Sequence, residues 1–181
     1  MSKASIRQKF IDKRHTMSPE DVSAHSDTFC QNLDSVPELE SVKPIASYYP
    51  LGNEISPLCY IKAQLKKGRR VVFPRHNSKT ESYEMVPVSD LDNDFISGRF
   101  GVMEPRANLD ALSDLNDISA WLIPGIAFDH QGTRLGFGKG IYDRLLSQES
   151  RVKIGCAYSW QVVETLPRET HDVAMDCLVT E

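Results

Sequence analysis

The chain has 181 residues, of which 40% are hydrophobic and 25% are charged, a composition typical of a soluble globular protein. Its formal net charge of −4 gives no general attraction to nucleic acid or to an anionic membrane, so a polyanion must bind at a local site. No apolar run approaches the roughly 20 residues that cross a bilayer, and the charged amino-terminal segment lacks the apolar core of a secretory signal. We expect one domain over residues 1–181, in the cytoplasm, without nucleic-acid or membrane partners.

The four cysteines are far apart in the sequence and form no C-x-x-C pair, which disfavours a zinc site or a disulfide framework. We expect Cys30, Cys59, Cys156 and Cys177 to be reduced and largely buried, as in a cytoplasmic protein. A chain of this length can bury a core without such covalent or metal links.

Two helices are predicted at the start of the chain. Residues 3–16 are rich in Lys and Arg, and Lys3 and Arg7 lie four positions apart, so they share one helix face. Taken alone, such a face is more typical of a solvated surface than of a binding site. A second helix is predicted after Ser18, a capping residue, with Pro19 in the first helical position.

A strand, a helix and another strand follow. Residues 45–49 have a strand pattern and residues 56–67 a helix pattern. Residues 71–73 form the next strand, which we expect Pro74 to end. Because such a unit implies parallel pairing, we predict an α/β fold with a mostly parallel sheet. Glu54 lies just beyond the first strand, where open α/β sheets bind ligands.

The second half of the chain is predicted to add further strands and few long helices. We predict strands at 81–88, 121–123, 152–158 and 178–180, a short helix at 160–166, and an ordered loop with a surface connection at 98–117. A loop is predicted over 167–176. It contains His171 and Asp172, which are either a functional pair or polar residues that cap the loop.

The stretch LIPGIAFDHQGTRLGFGKGIYDRLL, residues 122–146, contains the strongest signal for function. Four of the chain's ten glycines lie in one nine-residue segment of it, 132–140, together with Arg134 and Lys139. A helix pattern follows this segment. A strand, a glycine-rich basic loop and a helix start together predict an anion site, because free backbone N–H groups and the helix dipole favour negative charge. We expect the anion to be phosphate.

This loop has neither common phosphate-binding fingerprint. In a Walker A loop Gly138-Lys139 would precede Ser or Thr, but Gly140 follows here. The dinucleotide pattern fails as well, because Ile141 occupies the position of its last glycine. The alternative interpretation is a glycine-rich turn without a ligand.

Bound polyphosphate usually brings Mg²⁺, which prefers oxygen ligands. Asp143 follows the loop and Asp176 precedes the last strand, so both are candidate metal ligands. Asp143 could instead only stabilise the start of its helix through the helix dipole. No nucleophile motif such as G-x-S-x-G is present, so direct transfer of phosphate to a bound substrate is the favoured reaction class.

The 122–146 stretch resembles the signature of the 5-formyltetrahydrofolate cyclo-ligase family, whose members are also called 5,10-methenyltetrahydrofolate synthetases. The resemblance extends along nearly the whole chain. It includes Lys3 with Arg7, and the segments 48–55, 72–75, 100–105 and 166–176. The central stretch is highly specific, and the other segments support it by their order.

The resemblance implies a three-layer α/β/α sandwich. It also implies an ATP- and Mg²⁺-dependent reaction that converts 5-formyltetrahydrofolate to 5,10-methenyltetrahydrofolate with release of ADP and phosphate. The expected partners are ATP and the folate, with or without a polyglutamate tail, and the expected state is a monomer. Two alternatives are a non-catalytic nucleotide- or folate-binding paralogue and an enzyme of similar architecture that acts on sugar phosphates or CoA thioesters.

The resemblance also assigns roles to residues. The ATP-binding set would be Lys3, Arg7, Arg134, Leu135, Gly136, Phe137, Gly138, Lys139, Gly140, Ile141 and Tyr142. Arg134, Lys139 and Tyr142 would carry the catalysis. The folate set would be Leu51, Glu54, Phe100 and Tyr142, and the metal ligands Asp143 and Asp176. Ile141 departs from the family, which usually has two aromatic residues before the aspartate.

Overall fold

A computed structural model describes residues 2–40, 43–98, 101–146, 151–170 and 172–181. The α-helices of this described part are α1 (Lys3–His15), α2 (Pro19–Leu33), α3 (Leu58–Lys66) and α4 (Ile141–Leu146). Its strands are β1 (Ile45–Ala46), β2 (Val71–Asn77), β3 (Ser82–Val88), β4 (Phe95–Ser97), β5 (Met103–Pro105), β6 (Ala120–Pro124), β7 (Ala127–Asp129), β8 (Arg134–Leu135), β9 (Val152–Cys156), β10 (Val162–Val163) and β11 (Cys177–Val179). None of the described helices is long and apolar enough to cross a membrane.

The first two helices begin at polar caps. The Ser2 hydroxyl accepts a hydrogen bond from the backbone N–H of Ser5, and the Ser18 hydroxyl accepts one from the N–H of Asp21. Pro19 occupies the start of α2, where its missing N–H costs nothing. The predicted positions of both helices are therefore confirmed.

A six-stranded sheet in the order β11-β9-β6-β1-β2-β3 forms the centre of the molecule. All its pairs are parallel except β2 with β3. On one face, Ile45 and Leu122 pack with Phe29 of α2 and Ile61 of α3. The next residue along each strand points to the opposite face, where α4 and the segment around Ile118 cover it. The predicted α/β fold with a mostly parallel sheet flanked by helices is confirmed.

The prediction that Pro74 ends its strand is wrong, since β2 continues to Asn77. β1 pairs with β2 only at Val71 and Val72, and the carbonyl of Val72 accepts from Ser47 N–H on that side. The backbone groups of Pro74 face the same side of β2 as those of Val72, but β1 has ended before Pro74 is reached. No strand on that side is therefore left without a hydrogen bond by the N–H group that Pro74 lacks.

Several short strands were not predicted. β7 and β8, which lie between β6 and α4 in the chain, form a small sheet with β10, which follows β9. The helix predicted at 160–166 is wrong, since only one 3₁₀ turn, Ser159–Gln161, is present there and β10 follows it directly. The carboxylate of Asp129 organises this sheet by accepting from the N–H groups of Gln131, Thr133 and Leu166. Strands of two or three residues show no periodicity, so the sequence pattern could not reveal them.

The order of strands determines where a ligand can bind. The chain runs outward from β1 through β2 on one side, and from β6 through β9 and β11 on the other. The neighbours β1 and β6 therefore mark the point at which the winding direction changes. In open α/β sheets, ligands bind beyond the carboxyl ends of the strands at such a point.

Candidate functional site

A cleft of about 350 Å³ opens at this point. Its lining includes Glu54, from the loop after β1, and Gly125, directly after β6. The rest of the lining is Lys3, Arg7, Pro124, Arg134, Leu135, Gly136, Phe137, Gly138, Lys139, Gly140, Ile141, Tyr142, Asp143, Glu169 and Asp172. Every residue predicted to bind ATP lines this cleft.

The backbone of the glycine-rich loop needs glycine at specific positions. A Cβ atom at Gly136 would lie 2.7 Å from Nη1 of Arg134, too close for any side chain without movement of that guanidinium. Gly138 has a φ of +83°, in the left-handed region that favours glycine. Nε of Arg7 donates to the carbonyl of Gly136 at 2.8 Å, which ties α1 to the loop.

Arg134 is a nearly buried cation at the base of the loop, with a side chain that is 6% exposed. Its Nη2 lies 3.1 Å from Oδ1 of Asp143, and its Nη1 donates to the carbonyl of Pro124 at 3.4 Å. Its Nε is buried and has no hydrogen-bond partner in the described part of the chain. A ligand with anionic oxygens could accept a hydrogen bond from this Nε, and with Asp143 it would balance the positive charge of Arg134.

Lys3 lines the same cleft and lies within reach of two carboxylates from the loop before β11. Its Nζ is 2.8 Å from Oδ2 of Asp172 and 3.1 Å from Oε1 of Glu169. Partial burial works against the charged ammonium, but these hydrogen bonds outweigh it and raise the pKa of Lys3. Asp172 and Glu169 thus line the cleft beside Lys3, and Oδ2 of Asp172 also caps its loop by accepting from the N–H of Glu169 at 2.7 Å. His171 lies outside the described residues.

Glu54 also lines the cleft and is 5% exposed. Its Oε2 accepts from the backbone N–H of Leu51 at 2.9 Å, and its Oε1 lies 3.3 Å from Nη1 of Arg14. Burial raises the pKa of the Glu54 carboxyl, whereas the charge of Arg14 and the Leu51 hydrogen bond oppose that rise. Leu51 itself is not among the cleft-lining residues, and Phe100 lies outside the described residues.

Arg14, which contacts Glu54, is a neighbour of the site that the sequence analysis missed. It lies in the last turn of α1, seven positions after Arg7, so it falls on the same helix face as Arg7 and Lys3. That spacing was visible in the sequence, but nothing there showed that this face is covered. Asn53 fixes the loop against the end of the helix by donating from Nδ2 to the carbonyls of Arg14 and Met17, each at 3.1 Å.

Tyr142 extends the site from Arg134 toward Glu54. Its ring lies 5.4 Å from Cζ of Arg134. Burial, reinforced by the negative charge of Glu54, raises the pKa of Tyr142, so its phenol stays protonated at neutral pH and can donate a hydrogen bond.

The two carboxylates predicted as metal ligands lie at opposite ends of the sheet strands. Asp143 lines the cleft. Asp176 immediately precedes β11, which is parallel to β9, so it lies at the edge opposite the carboxyl ends of the strands. There its Oδ2 accepts from the N–H of Lys153 at 2.7 Å and pairs with the Lys153 ammonium at 3.1 Å. The described residues contain no cluster of three His, Cys, Asp or Glu side chains that could hold a metal.

A larger depression of about 470 Å³ lies elsewhere, between α2, α3 and the turn before β2. It is lined by residues such as Leu39, Tyr60, Gln64 and Arg69, and it has no glycine-rich loop. Volume alone therefore does not select the candidate site. The smaller cleft combines the switch point, the basic loop and the buried carboxylate.

Comparison with known proteins identifies the family of this chain. All of residues 1–181 match the model of the 5-formyltetrahydrofolate cyclo-ligase family. The chain belongs to this family. A 5-formyltetrahydrofolate cyclo-ligase of Haemophilus influenzae is 34% identical over 146 residues, which cover 78% of each chain. One of Mycoplasma pneumoniae is 31% identical over 185 residues, covering 100% of this chain and 99% of the relative.

Solved structures of family members have the same fold. The 5,10-methenyltetrahydrofolate synthetase of Aquifex aeolicus superposes with a TM-score of 0.86 at 35% identity, covering 99% of this chain and 89% of that one. The synthetase of Mycoplasma pneumoniae gives 0.79 at 28% identity and covers 99% of both chains. The resemblance stated from the sequence is thus confirmed, and the family is one of ligases.

Proposed function

We propose that this protein uses ATP and Mg²⁺ to cyclise 5-formyltetrahydrofolate to 5,10-methenyltetrahydrofolate. The γ-phosphoryl group of ATP is transferred to the formyl oxygen, and ADP leaves. Nitrogen-10 of the same folate then attacks the activated formyl carbon, and the formyl oxygen departs with the phosphate. The observation that carries this proposal is a single cleft lined both by a basic glycine-rich loop and by a buried carboxylate, Glu54.

The glycine-rich loop of the cleft fits a polyphosphate. Arg7, Arg134 and Lys139 would face its oxygens, and the loop glycines would let backbone N–H groups approach them. The buried Nε of Arg134, which lacks a partner in the described part of the chain, supports an anionic ligand beside this loop. Positive charge held in a partly dry site stabilises the charge that develops during phosphoryl transfer.

The part of the cleft at Glu54 fits the folate ring system. An ionised carboxylate accepts hydrogen bonds only, so Glu54 can receive the N–H groups of the pterin. Tyr142 lines the same cleft beside Arg134, and its protonated phenol could donate to a folate oxygen. Such an arrangement would align the formyl oxygen with the terminal phosphate.

The composition of the lining supports direct transfer between the two substrates. Among the cleft-lining residues that the structure describes, there is no Ser, Thr, Cys or His side chain. A covalent phosphoryl-enzyme would need such a nucleophile or a carboxylate. The cleft carboxylates are each paired with a cation: Glu54 with Arg14, Asp143 with Arg134, and both Glu169 and Asp172 with Lys3. Here the nucleophile belongs to the folate, and the protein contributes alignment and charge.

One cleft carboxylate fits Mg²⁺ binding. Magnesium in nucleotide sites is usually held by one or two carboxylates together with phosphate oxygens and waters. Asp143 would be the first of these ligands. Both Asp172 and Asp176 are paired with a lysine, but only Asp172 lines the cleft, so it fits a second ligand position better than Asp176. When bound, the metal would neutralise charge on the transferred phosphoryl group.

The proposal is tested by mixing the purified protein with 5-formyltetrahydrofolate, ATP and Mg²⁺ and following the absorbance of the methenyl product. We expect product only when ATP is present, with one ADP released per product. Folate or nucleotide binding without product would favour the non-catalytic paralogue instead.

A further inference from the structure

Arg14 occupies an unusual position for a charged residue. It is 5% exposed, it lies on the face of α1 that carries Lys3 and Arg7, and it is not itself among the cleft-lining residues. Its guanidinium lies behind Glu54 as seen from the cleft, because Glu54 lines the cleft and Arg14 contacts it. The ring of Phe137, from the glycine-rich loop, lies 5.4 Å from Cζ of Arg14.

The contacts of Glu54 divide its carboxylate into two parts. Each oxygen receives one donor from the protein: Arg14 Nη1 on Oε1 at 3.3 Å, and Leu51 N–H on Oε2 at 2.9 Å. An ionised carboxylate has about four acceptor positions, so two are used and two are left. Since Glu54 lines the cleft, we expect a ligand there to use the remaining positions.

We propose that Arg14 is a positioning residue for folate recognition, which keeps the Glu54 carboxylate ionised and oriented toward the cleft. This inference rests on the proposed function, in which Glu54 accepts the N–H groups of the pterin. Arg14 does not touch the folate in this account, and its whole effect passes through Glu54. A protonated Glu54 would present an O–H donor to the pterin N–H groups, and the match would be lost.

The charges around Glu54 make Arg14 the cation that decides its ionisation. The titratable groups packed near Glu54 from the other elements are the phenols of Tyr48, Tyr142 and Tyr158, which are neutral at pH 7 because burial raises their pKa. The charged groups that line the same cleft are Lys3, Arg7, Arg134, Lys139, Asp143, Glu169 and Asp172. Arg14 alone among the described cations forms an ion pair with Glu54. Burial raises the pKa of Glu54 and Arg14 opposes this, so removal of Arg14 shifts the pKa further upward.

The test compares the wild type with Arg14→Met in steady-state assays of the methenyl product between about pH 6 and pH 9. We expect Arg14→Met to raise the KM for 5-formyltetrahydrofolate roughly tenfold at pH 8, since one charged contact orients the carboxylate. The KM should rise further as pH falls, because binding needs the ionised carboxyl and its pKa now lies closer to neutral. The KM for ATP should change less than about twofold.

Two variants serve as controls. Lys9→Met removes the same charge from an exposed position on α1 and should leave both KM values and their pH dependence unchanged. Arg14→Lys keeps the charge but offers a different donor geometry. It should raise the KM for folate but leave the pH dependence of that KM nearly unchanged. The variant therefore separates the effect of Arg14 on the orientation of Glu54 from its effect on the ionisation of Glu54.

A double variant keeps the proposal testable if Arg14→Met alone folds poorly. Arg14→Met with Glu54→Gln removes both charges of the buried pair, which proteins tolerate better than removal of one. If Arg14 acts through Glu54, the double variant has the same folate KM as Glu54→Gln alone. The inference would be overturned if the rise in folate KM of the double variant equalled the product of the rises in the two single variants. A rise of KM in Arg14→Met that does not depend on pH would overturn it as well. If the wild type forms no methenyl product, the proposed function fails. If the wild type is active and Arg14→Met has the same folate KM as the wild type, only this inference fails.

Discussion

Replacement of Gly136 by alanine tests whether the position of Arg134 controls catalysis. The new Cβ would lie 2.7 Å from Nη1 of Arg134, whereas such contacts are not shorter than 3.0 Å and are ordinary from 3.4 Å, so the guanidinium must move by 0.3 Å at least and by 0.7 Å for an ordinary contact. That guanidinium is nearly buried and bonded to Asp143 and to the carbonyl of Pro124, so a shift disturbs both contacts.

A misplacement of about 1 Å in a positioning group can cost up to about 100-fold in rate. We therefore expect Gly136→Ala to lower kcat/KM roughly 10- to 100-fold, which is about 1.4–2.7 kcal/mol of transition-state stabilisation. The assay is the ATP-dependent appearance of the methenyl absorbance. Thermal unfolding of the same sample shows whether the fold persists.

Gly68→Ala is the matched control. Gly68 ends α3 with a φ of +79°, has open space where a Cβ would lie, and precedes β2 at the edge of the sheet opposite the cleft. The left-handed backbone makes alanine cost about 1 kcal/mol, or about 2–4 °C in the melting temperature of a chain of this size, with activity unchanged. If Gly136→Ala retains full activity, or if both variants lose activity in proportion to stability, the role given to Arg134 is wrong.

Four further substitutions test the roles of single carboxylates and of Lys139. Lys139→Ala should raise the KM for ATP roughly tenfold and leave equilibrium folate binding unchanged, because it removes a charged phosphate contact; equal loss of both affinities would contradict this. Asp143→Asn should raise the Mg²⁺ concentration that gives half-maximal rate, whereas Asp176→Asn should not if Asp176 stays paired with Lys153; the reverse order would restore Asp176 as a ligand. Glu54→Gln should raise the KM for folate by about tenfold or more with little change for ATP, and an unchanged folate KM would remove Glu54 from the site.

Local chemistry explains why parts of this fold could be predicted. Ser18 and Pro19 mark the start of α2 because a hydroxyl acceptor and a residue without an N–H are suited to those positions. The alternation of strand and helix patterns around Glu54 predicts parallel pairing, and parallel pairing predicts where the ligand lies. The glycine-rich loop was recognised because its close contacts leave little choice of residue.

The interactions that were missed join distant parts of the chain. The contact of Lys3 with Asp172 spans 169 positions, and that of Arg14 with Glu54 spans 40. A basic helix face looks the same in sequence whether water or a cleft lies beside it, so Arg14 was not distinguished from its exposed neighbours. The small sheet around Asp129 was missed because its strands are too short to show a period.

The most direct test of the central claim follows the formyl oxygen. Folate labelled with ¹⁸O in its formyl group is converted with ATP and Mg²⁺, and the released inorganic phosphate is analysed by mass spectrometry. Because the phosphoryl group is transferred to that oxygen, we predict one ¹⁸O atom in each phosphate formed. Methenyl product accompanied by unlabelled phosphate would contradict direct phosphorylation of the folate within the cleft.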